Sequence, residues 1–266
     1  MKNIAVILAG GSGSRFGNDF PKQMAKVAGK TIIEHTITAF QRSPLIDEII
    51  VVIKEGFANT IADMVLCNDF TKVNRVLNGG KERYQSTMVA IDALSEEDDS
   101  DEYNLIIHDA VRPFICDQII SQCVTALKTN NAVDVAIKTA DTIIAVKDNY
   151  IDHIPPRKNL RRGQTPQAFK LKTLKQAYAV ALDDPNFTTT DDCGVVVKYL
   201  NEPVFVVDGN ESNIKITHIQ DIFIADKIFQ LKSIETEHLQ NETDRKNHFT
   251  NKNIVVFGGS QGIGRE

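Results

Sequence analysis

Cysteine is scarce in this chain, and the four that occur, Cys67, Cys116, Cys123 and Cys193, share neither a CxxC spacing nor a neighbouring histidine cluster. That argues against a zinc site or a disulfide framework and fits small core residues in a reducing compartment. Long apolar runs are missing too: no segment approaches the roughly 18 uninterrupted apolar residues of a membrane helix. Residues 4–9 are one strand long, lack a small-residue cleavage site and run straight into glycines, so they read as a strand rather than a secretory leader. There is no excess of basic residues either, with 30 Lys and Arg against 35 Asp and Glu and a formal net charge of −5. A surface for duplex nucleic acid needs a clustered cationic excess, whereas a small anion needs only a local basic pocket. These absences predict a cytoplasmic protein with neither a membrane nor a nucleic-acid partner.

The chain does contain enough apolar material for a full core, 42% of residues against 24% charged, in a length that suits one large domain or two small ones. Apolar, β-branched runs recur at residues 4–8, 49–53, 105–107, 134–137 and 204–207, with helix-period patterns at 31–41 and 117–129 between them. That alternation predicts an α/β fold built on a mostly parallel sheet flanked by helices. Ligands of such sheets bind at the carboxyl ends of the strands, which directs attention to the loops after Leu8 and Ile107.

Residues 142–146 and 150–154 flank Lys147-Asp148-Asn149 and precede two prolines, which predicts a β-hairpin arm over about residues 140–156. A lone hairpin is marginal in water, so the arm either folds back on its own domain or packs on a second subunit, and a homodimer through it is the expectation. A helix is predicted over residues 219–231. Residues 233–251 are polar with few apolar anchors and read as a linker. A strand and a glycine turn then open at residues 252–266. The expected organisation is one domain over 1–232, a linker over 233–251 and the start of a second domain over 252–266, the whole being the front part of a longer protein.

After the first strand come Gly10, Gly11, Gly13 and Gly17, with Arg15 and Lys22 in the same connection. Glycines let the backbone approach phosphate oxygens and aim N–H groups at them, while Arg and Lys supply positive charge. The loop lacks the Gly-Lys-Ser/Thr ending of a Walker A motif and departs from the GxGxxG dinucleotide spacing. Glycines alone leave an ordinary tight βα turn as the alternative.

The string Leu8-Ala9-Gly10-Gly11-Ser12-Gly13-Ser14-Arg15-Phe16-Gly17, followed by Pro21-Lys22-Gln23, resembles the signature of the nucleotidyltransferases that activate sugars and alditols. The closest likeness is to the cytidylyltransferases of the isoprenoid and ribitol-phosphate type. Further blocks match in order: residues 79–86 (GGKERYQS), 108–113 (HDAVRP), 165–167 (TPQ), 190–192 (TDD) and 213–217 (NIKIT). Six ordered blocks over about residues 1–230 are far more specific than one glycine motif. The resemblance implies a Rossmann-like nucleotidyltransferase fold and transfer of a cytidylyl group from CTP to a small polyol phosphate. By it, Arg15, Lys22 and Lys215 stabilise the charge developing on the phosphates. Leu8, Ala9, Gly10, Gly11, Ser12, Gly13, Gly79, Gly80, Arg83, Ser86 and Asp109 bind the nucleotide, with Ser86 reading the cytosine edge. A turn at Gly79-Gly80 and a helix N-cap at Ser86 are the structural alternatives. Ala110, Arg112, Thr142, Arg157 and Thr165 face the acceptor, Thr142 and Arg157 reaching it from the neighbouring subunit's arm. Mg²⁺ would be held mainly by the phosphates, with Asp109 as a candidate protein ligand. His108 would support its loop and transfer no proton.

Two departures bear on the acceptor. Asp191-Asp192-Cys193 replaces the acidic-Ala-Ser continuation of the isoprenoid branch, which favours ribitol 5-phosphate over 2-C-methylerythritol 4-phosphate. The terminal Gly258-x-x-x-Gly262-Ile263-Gly264 resembles the cofactor loop of short-chain dehydrogenases. A fused reductase using NADP(H) would supply ribitol 5-phosphate from ribulose 5-phosphate, for a capsule or teichoic-acid type of polymer. An NAD(P)-dependent oxidoreductase and a nucleotide-binding module without catalysis remain as other classes. Arg157-Lys158 and Arg161-Arg162 lack the interleaved aromatics of a nucleic-acid surface.

Overall fold

The computed structural model describes residues 1–11, 21–97 and 102–238. Its core is a seven-stranded sheet made of β1 (Lys2–Ala9), β4 (Glu48–Ile53), β5 (Val73–Asn78), β6 (Tyr103–Asp109), β7 (Ala132–Lys138), β10 (Arg161–Lys170) and β11 (Phe205–Asp208), in the order β11-β7-β10-β6-β1-β4-β5. Every pairing in it is parallel except those of β10, which runs antiparallel to both β6 and β7. The predicted mostly parallel α/β sheet is therefore present. The small strands β2 (Lys26–Val27) and β3 (Lys30–Thr31) pair separately.

The central strands are unbroken apolar runs because both of their faces are covered. Ala5, Ile7, Ile49, Val51 and Ile53 point to one face, where Ile33, Ile37 and Phe40 of α1 (Ile32–Arg42), Ile61 of α2 (Ala58–Cys67) and Ile119, Ile120 and Cys123 of α4 (Asp117–Ala126) pack. Ile4, Val6, Leu8, Ile50 and Val52 point to the other, against α3 (Arg83–Ser95), α5 (Leu171–Leu182) and α6 (Asp192–Leu200). Each large aliphatic side chain fully buried there contributes about 1.5–3 kcal/mol. Helix α1 starts where it does because Thr31 Oγ1 accepts from the Glu34 N–H at 3.2 Å and Glu34 Oε2 accepts from the Thr31 N–H at 3.4 Å, a reciprocal capping box.

Strands β5 and β10 were not apparent from the periodicity. Strand β5 carries polar residues at three of its six positions and β10 opens on a polar run, RRGQTPQ, whose register shifts between Gly163 and Gln167. The hairpin arm forms as β8 (Ala145–Lys147) and β9 (Tyr150–His153), with shorter strands and a tighter turn than predicted. Asp148 and Asn149, at φ 50° and 66°, make a two-residue turn of the kind whose twist matches a hairpin.

The predicted C-terminal helix is longer than expected. As α7 it spans Gln220–His238 and takes in the first six positions of the stretch read as a linker. The chain divides into two compact units, Met1–Phe223 and Ile224–Glu266. Of the second, residues 224–238 are described and are helical; the rest of the linker and the terminal glycine motif lie outside the described residues. No helix among the described residues is long and apolar enough to cross a membrane.

Candidate active site

The carboxyl ends of β1, β4, β5 and β6 meet at one edge of the sheet. Strand β5 carries Gly79 alongside β4, where the Gly79 N–H donates to the Ile53 carbonyl at 2.7 Å. Ser86, in the first turns of α3, lies between the two glycine loops. A Cβ at Gly10 would fall 2.8 Å from Ser86 Oγ and one at Gly79 only 2.6 Å from it, so glycine at both positions permits the close approach of the serine hydroxyl, which a side chain would displace. Ser86 is not the cap of α3: that position belongs to Glu82, whose N–H donates to Gln85 Oε1 at 3.0 Å. Gln23 Nε2 donates to the Ala9 carbonyl at 2.6 Å, which fixes the chain around Lys22 against the end of β1.

A pocket opens over these loops. Its walls are Leu8, Ala9, Gly10, Gly11, Lys22, Gln23, Lys81, Glu82, Arg83, Ser86, Asp109, Val111 and Lys215. Four cationic side chains face two carboxylates there, which gives an acidic chain a local basic cleft suited to a polyphosphate.

Asp109, at the end of β6, is the electrostatic centre. Lys215 Nζ lies 2.9 Å from its Oδ2, Arg112 Nε 3.4 Å from Oδ2 and Arg83 Nε 3.8 Å from Oδ1. Burial alone would raise its pKa, but Lys215, Arg83 and Arg112 together hold it well below the usual carboxylate range. Lys215 is brought to it by the docked segment around Asn213: Arg112 Nη1 donates to the Asn213 carbonyl at 2.9 Å, and the Ile216 N–H to the Val111 carbonyl at 2.9 Å. Its side chain stays 44% exposed, so it remains reachable by a ligand.

His108 is wholly buried and serves the loop. Its Nε2 lies 3.0 Å from the Arg112 carbonyl, which can only accept, so Nε2 carries the proton. Nδ1 then accepts from the Thr165 hydroxyl at 3.0 Å, and Thr165 Oγ1 accepts the Asp109 N–H at 3.1 Å. Burial lowers the imidazole pKa to about 4, so the ring stays neutral at physiological pH.

The sequence-predicted residues divide into four groups. Leu8, Ala9, Gly10, Gly11, Lys22, Arg83, Ser86, Asp109 and Lys215 converge on the pocket. Gly79, Gly80, Ala110, Arg112 and Thr165 stand directly behind it, with the buried Ala110 donating its N–H to the Leu8 carbonyl at 2.9 Å. Thr142 and Arg157 are instead exposed at the base of the arm, where Arg157 Nη2 donates to Thr142 Oγ1 at 2.8 Å. Ser12, Gly13 and Arg15 lie outside the described residues. The site also uses residues that were not singled out: Gln23, Lys81 and Glu82 in its wall, and Gln167 and Asp192 behind Arg83. All five fall inside the recognised blocks, which was the available signal.

The family model described as IspD, 2-C-methyl-D-erythritol 4-phosphate cytidylyltransferase, matches residues 3–231. The chain belongs to this family. As a cytidylyltransferase it is 48% identical over 99% of its length to the bifunctional ribulose 5-phosphate reductase/CDP-ribitol pyrophosphorylase of Haemophilus influenzae, but it spans only 56% of that protein. It is 41% identical to the 2-C-methyl-D-erythritol 4-phosphate cytidylyltransferase of Thermobifida fusca, over 85% of this chain and 92% of that one. Among solved structures, 4-diphosphocytidyl-2C-methyl-D-erythritol synthase from Anaerococcus prevotii superposes with a TM-score of 0.74 at 33% identity, covering 86% of this chain and 96% of that one. The Francisella tularensis cytidylyltransferase gives 0.71 at 28%, over 85% and 99% of the two chains.

In a cytidylyltransferase the reaction asks for charge neutralisation and alignment rather than a protein nucleophile. Lys22, Lys81, Arg83 and Lys215 line the pocket with positive charge of the kind such a reaction uses. Asp109 is already paired with three cations, and among the described residues no group of three or more His, Cys, Asp or Glu is placed to hold a metal. Among the described residues the positive charge comes from Lys22, Lys81, Arg83 and Lys215, and a Mg²⁺ ion would be held mainly by the nucleotide's phosphates.

Proposed function

We propose that this chain is a D-ribitol 5-phosphate cytidylyltransferase, converting CTP and ribitol 5-phosphate into CDP-ribitol and pyrophosphate. An oxygen of the ribitol phosphate attacks the α-phosphorus of CTP, the bond from that phosphorus to the bridging oxygen breaks, and pyrophosphate leaves with the electron pair. Lys22 and Lys215, together with Arg15, neutralise the charge that builds on the phosphates. Ser86 and the Gly79-Gly80 backbone read the cytosine edge in a slot too narrow for a purine. Ala110, Arg112 and Thr165 border the acceptor from just behind the pocket wall.

The observation that carries the acceptor assignment is the extent of the likeness to the Haemophilus protein. It runs over 99% of the chain, past residue 231 where the family model ends. The Cys193 that follows Asp191-Asp192 favours the same branch. On this reading the complete protein adds an NADP(H)-dependent ribulose 5-phosphate reductase and supplies a capsule or teichoic-acid type of polymer. The second reading is 2-C-methylerythritol 4-phosphate, the acceptor named for the family and for the Thermobifida relative. The test is pyrophosphate release from CTP and Mg²⁺, the ion being carried by the nucleotide's phosphates. Release with ribitol 5-phosphate and not with 2-C-methylerythritol 4-phosphate is expected; the reverse result would assign the chain to the isoprenoid branch.

The active enzyme is a homodimer on the same reading. The arm presents Val146, Tyr150, Ile151 and Ile154 to solvent, with Tyr150 78% exposed, which is an apolar surface a second copy would cover. Arg157 and Thr142 would then complete the partner's acceptor site. Ile151→Glu should shift the protein from dimer to monomer in sedimentation and lower turnover at least ~10-fold, since a buried charge at such an interface costs several kcal/mol. A wild-type protein that sediments as a monomer at full activity would refute the dimeric site.

A further inference from the structure

Arg83 is held by a network that none of the assigned roles accounts for. Asp192, the first residue of α6, is fully buried. A carboxylate removed from water in this way is costly unless it is paired and hydrogen-bonded on every side. Here its Oδ2 accepts from Arg83 Nη1, its Oδ1 accepts from the Tyr178 hydroxyl at 2.6 Å, and its N–H donates to Gln167 Oε1 at 3.1 Å. Gln167 Oε1 also faces Arg83 Nη2 at 3.5 Å, while Gln167 Nε2 donates to Asp134 Oδ1 at 3.2 Å. Burial and the Asp192 carboxylate both push the Tyr178 hydroxyl pKa upward, so it always donates.

Three consecutive elements, β10, α5 and α6, therefore hold, directly or through Asp192, one guanidinium that enters from the first turn of the much earlier α3. The grip occupies Nη1 and Nη2 and turns Nε toward Asp109 at 3.8 Å. An arginine side chain has several rotatable bonds, and without this grip the natural resting place for Arg83 is a bidentate pair with Asp109. In that position it would compete with Lys215 Nζ for the same carboxylate.

We propose that Asp192 is a positioning residue for the cytidylyltransferase reaction: by holding Arg83 from behind, it keeps the guanidinium along the pocket wall and leaves Asp109 to orient Lys215. The role rests on the family's activity and not on the choice of acceptor, so it is measured with whichever acceptor supports wild-type turnover.

The test is a double-mutant cycle on kcat/KM for pyrophosphate release, made below the melting temperature of every variant. Asp192→Asn keeps the shape and removes the charge. It should lower kcat/KM ~10–100-fold in the wild-type background, the range for losing a hydrogen bond to a charged group, and should have no further effect in an Arg83→Ala background. A purely structural Asp192 would lower kcat/KM by the same factor in both backgrounds, and that result would overturn the proposal. Tyr178→Phe, which removes one hydrogen bond to Asp192 and keeps the ring, closes the same cycle if Asp192→Asn does not fold. A smaller drop of ~3-fold or more, confined to the Arg83-containing protein, is expected because Tyr178 holds Arg83 only through Asp192, and an equal drop in both backgrounds would again overturn the proposal.

Discussion

Lys215→Ala should lower pyrophosphate release by roughly two to three orders of magnitude while shifting the melting temperature by only a few degrees. The factor is that for removing one preorganised electrostatic group from a developing oxyanion. The small stability effect follows from exposure: the lysine side chain is 44% accessible, and its one resolved partner, Asp109, retains Arg112 and Arg83 as counter-charges. Steady-state turnover and thermal unfolding on the same preparation separate the two readings. Activity and stability falling in parallel would make Lys215 a structural clamp on the segment around Asn213 and remove it from the catalytic set.

Asp109→Asn should do the opposite in kind, unfolding the site as well as silencing it. Asparagine preserves the volume but leaves Arg83, Arg112 and Lys215 gathered around a side chain without the negative charge that balances them. Removing one partner of a buried ion pair costs about 3–5 kcal/mol. For a domain of this size that corresponds to a fall in Tm of roughly 10 °C. The effect also carries a pH signature. Because the folded pKa of Asp109 is depressed, its contribution to stability is complete above the unfolded carboxylate value, about 4, and is lost as pH falls toward the lower folded value. The gap in stability between wild type and Asp109→Asn should thus be widest near neutral pH and close progressively below about pH 4. A gap that stayed constant between pH 7 and pH 3 would mean that the charge of Asp109 is not what stabilises the loop.

The parts of the molecule that could be read in advance share a physical property: their function and their folding ask for the same residues. Strands β1, β4 and β6 are apolar throughout because both sheet faces are covered, and the glycines at positions 10, 79 and 80 permit close approaches that a side chain would disturb. Strand β10 escaped notice because its polar residues are spent on the site. Gln164, Thr165 and Gln167 are all buried and hydrogen-bonded to neighbours from other elements, so no alternation of polar and apolar residues survives. Asp192 lay inside a recognised block, yet its partner Arg83 is 109 positions away, and no local pattern connects them. The extra length of α7 was hidden for a different reason. A polar sequence without apolar periodicity resembles a linker whether or not its backbone is helical.

Ser86 has a further consequence for how the pocket can change over evolutionary time. The gap between the two glycine loops is one oxygen atom wide, and a methyl group added on either side would fall 2.8 or 2.6 Å from that oxygen. A side chain at Gly10 or Gly79 would therefore force the Ser86 hydroxyl to move, and at Gly79 it would also press on Val52 Cγ1, 3.3 Å from the added carbon. A side chain at either glycine and the Ser86 hydroxyl cannot keep their present places together, so changes at positions 10, 79 and 86 are expected to be coupled.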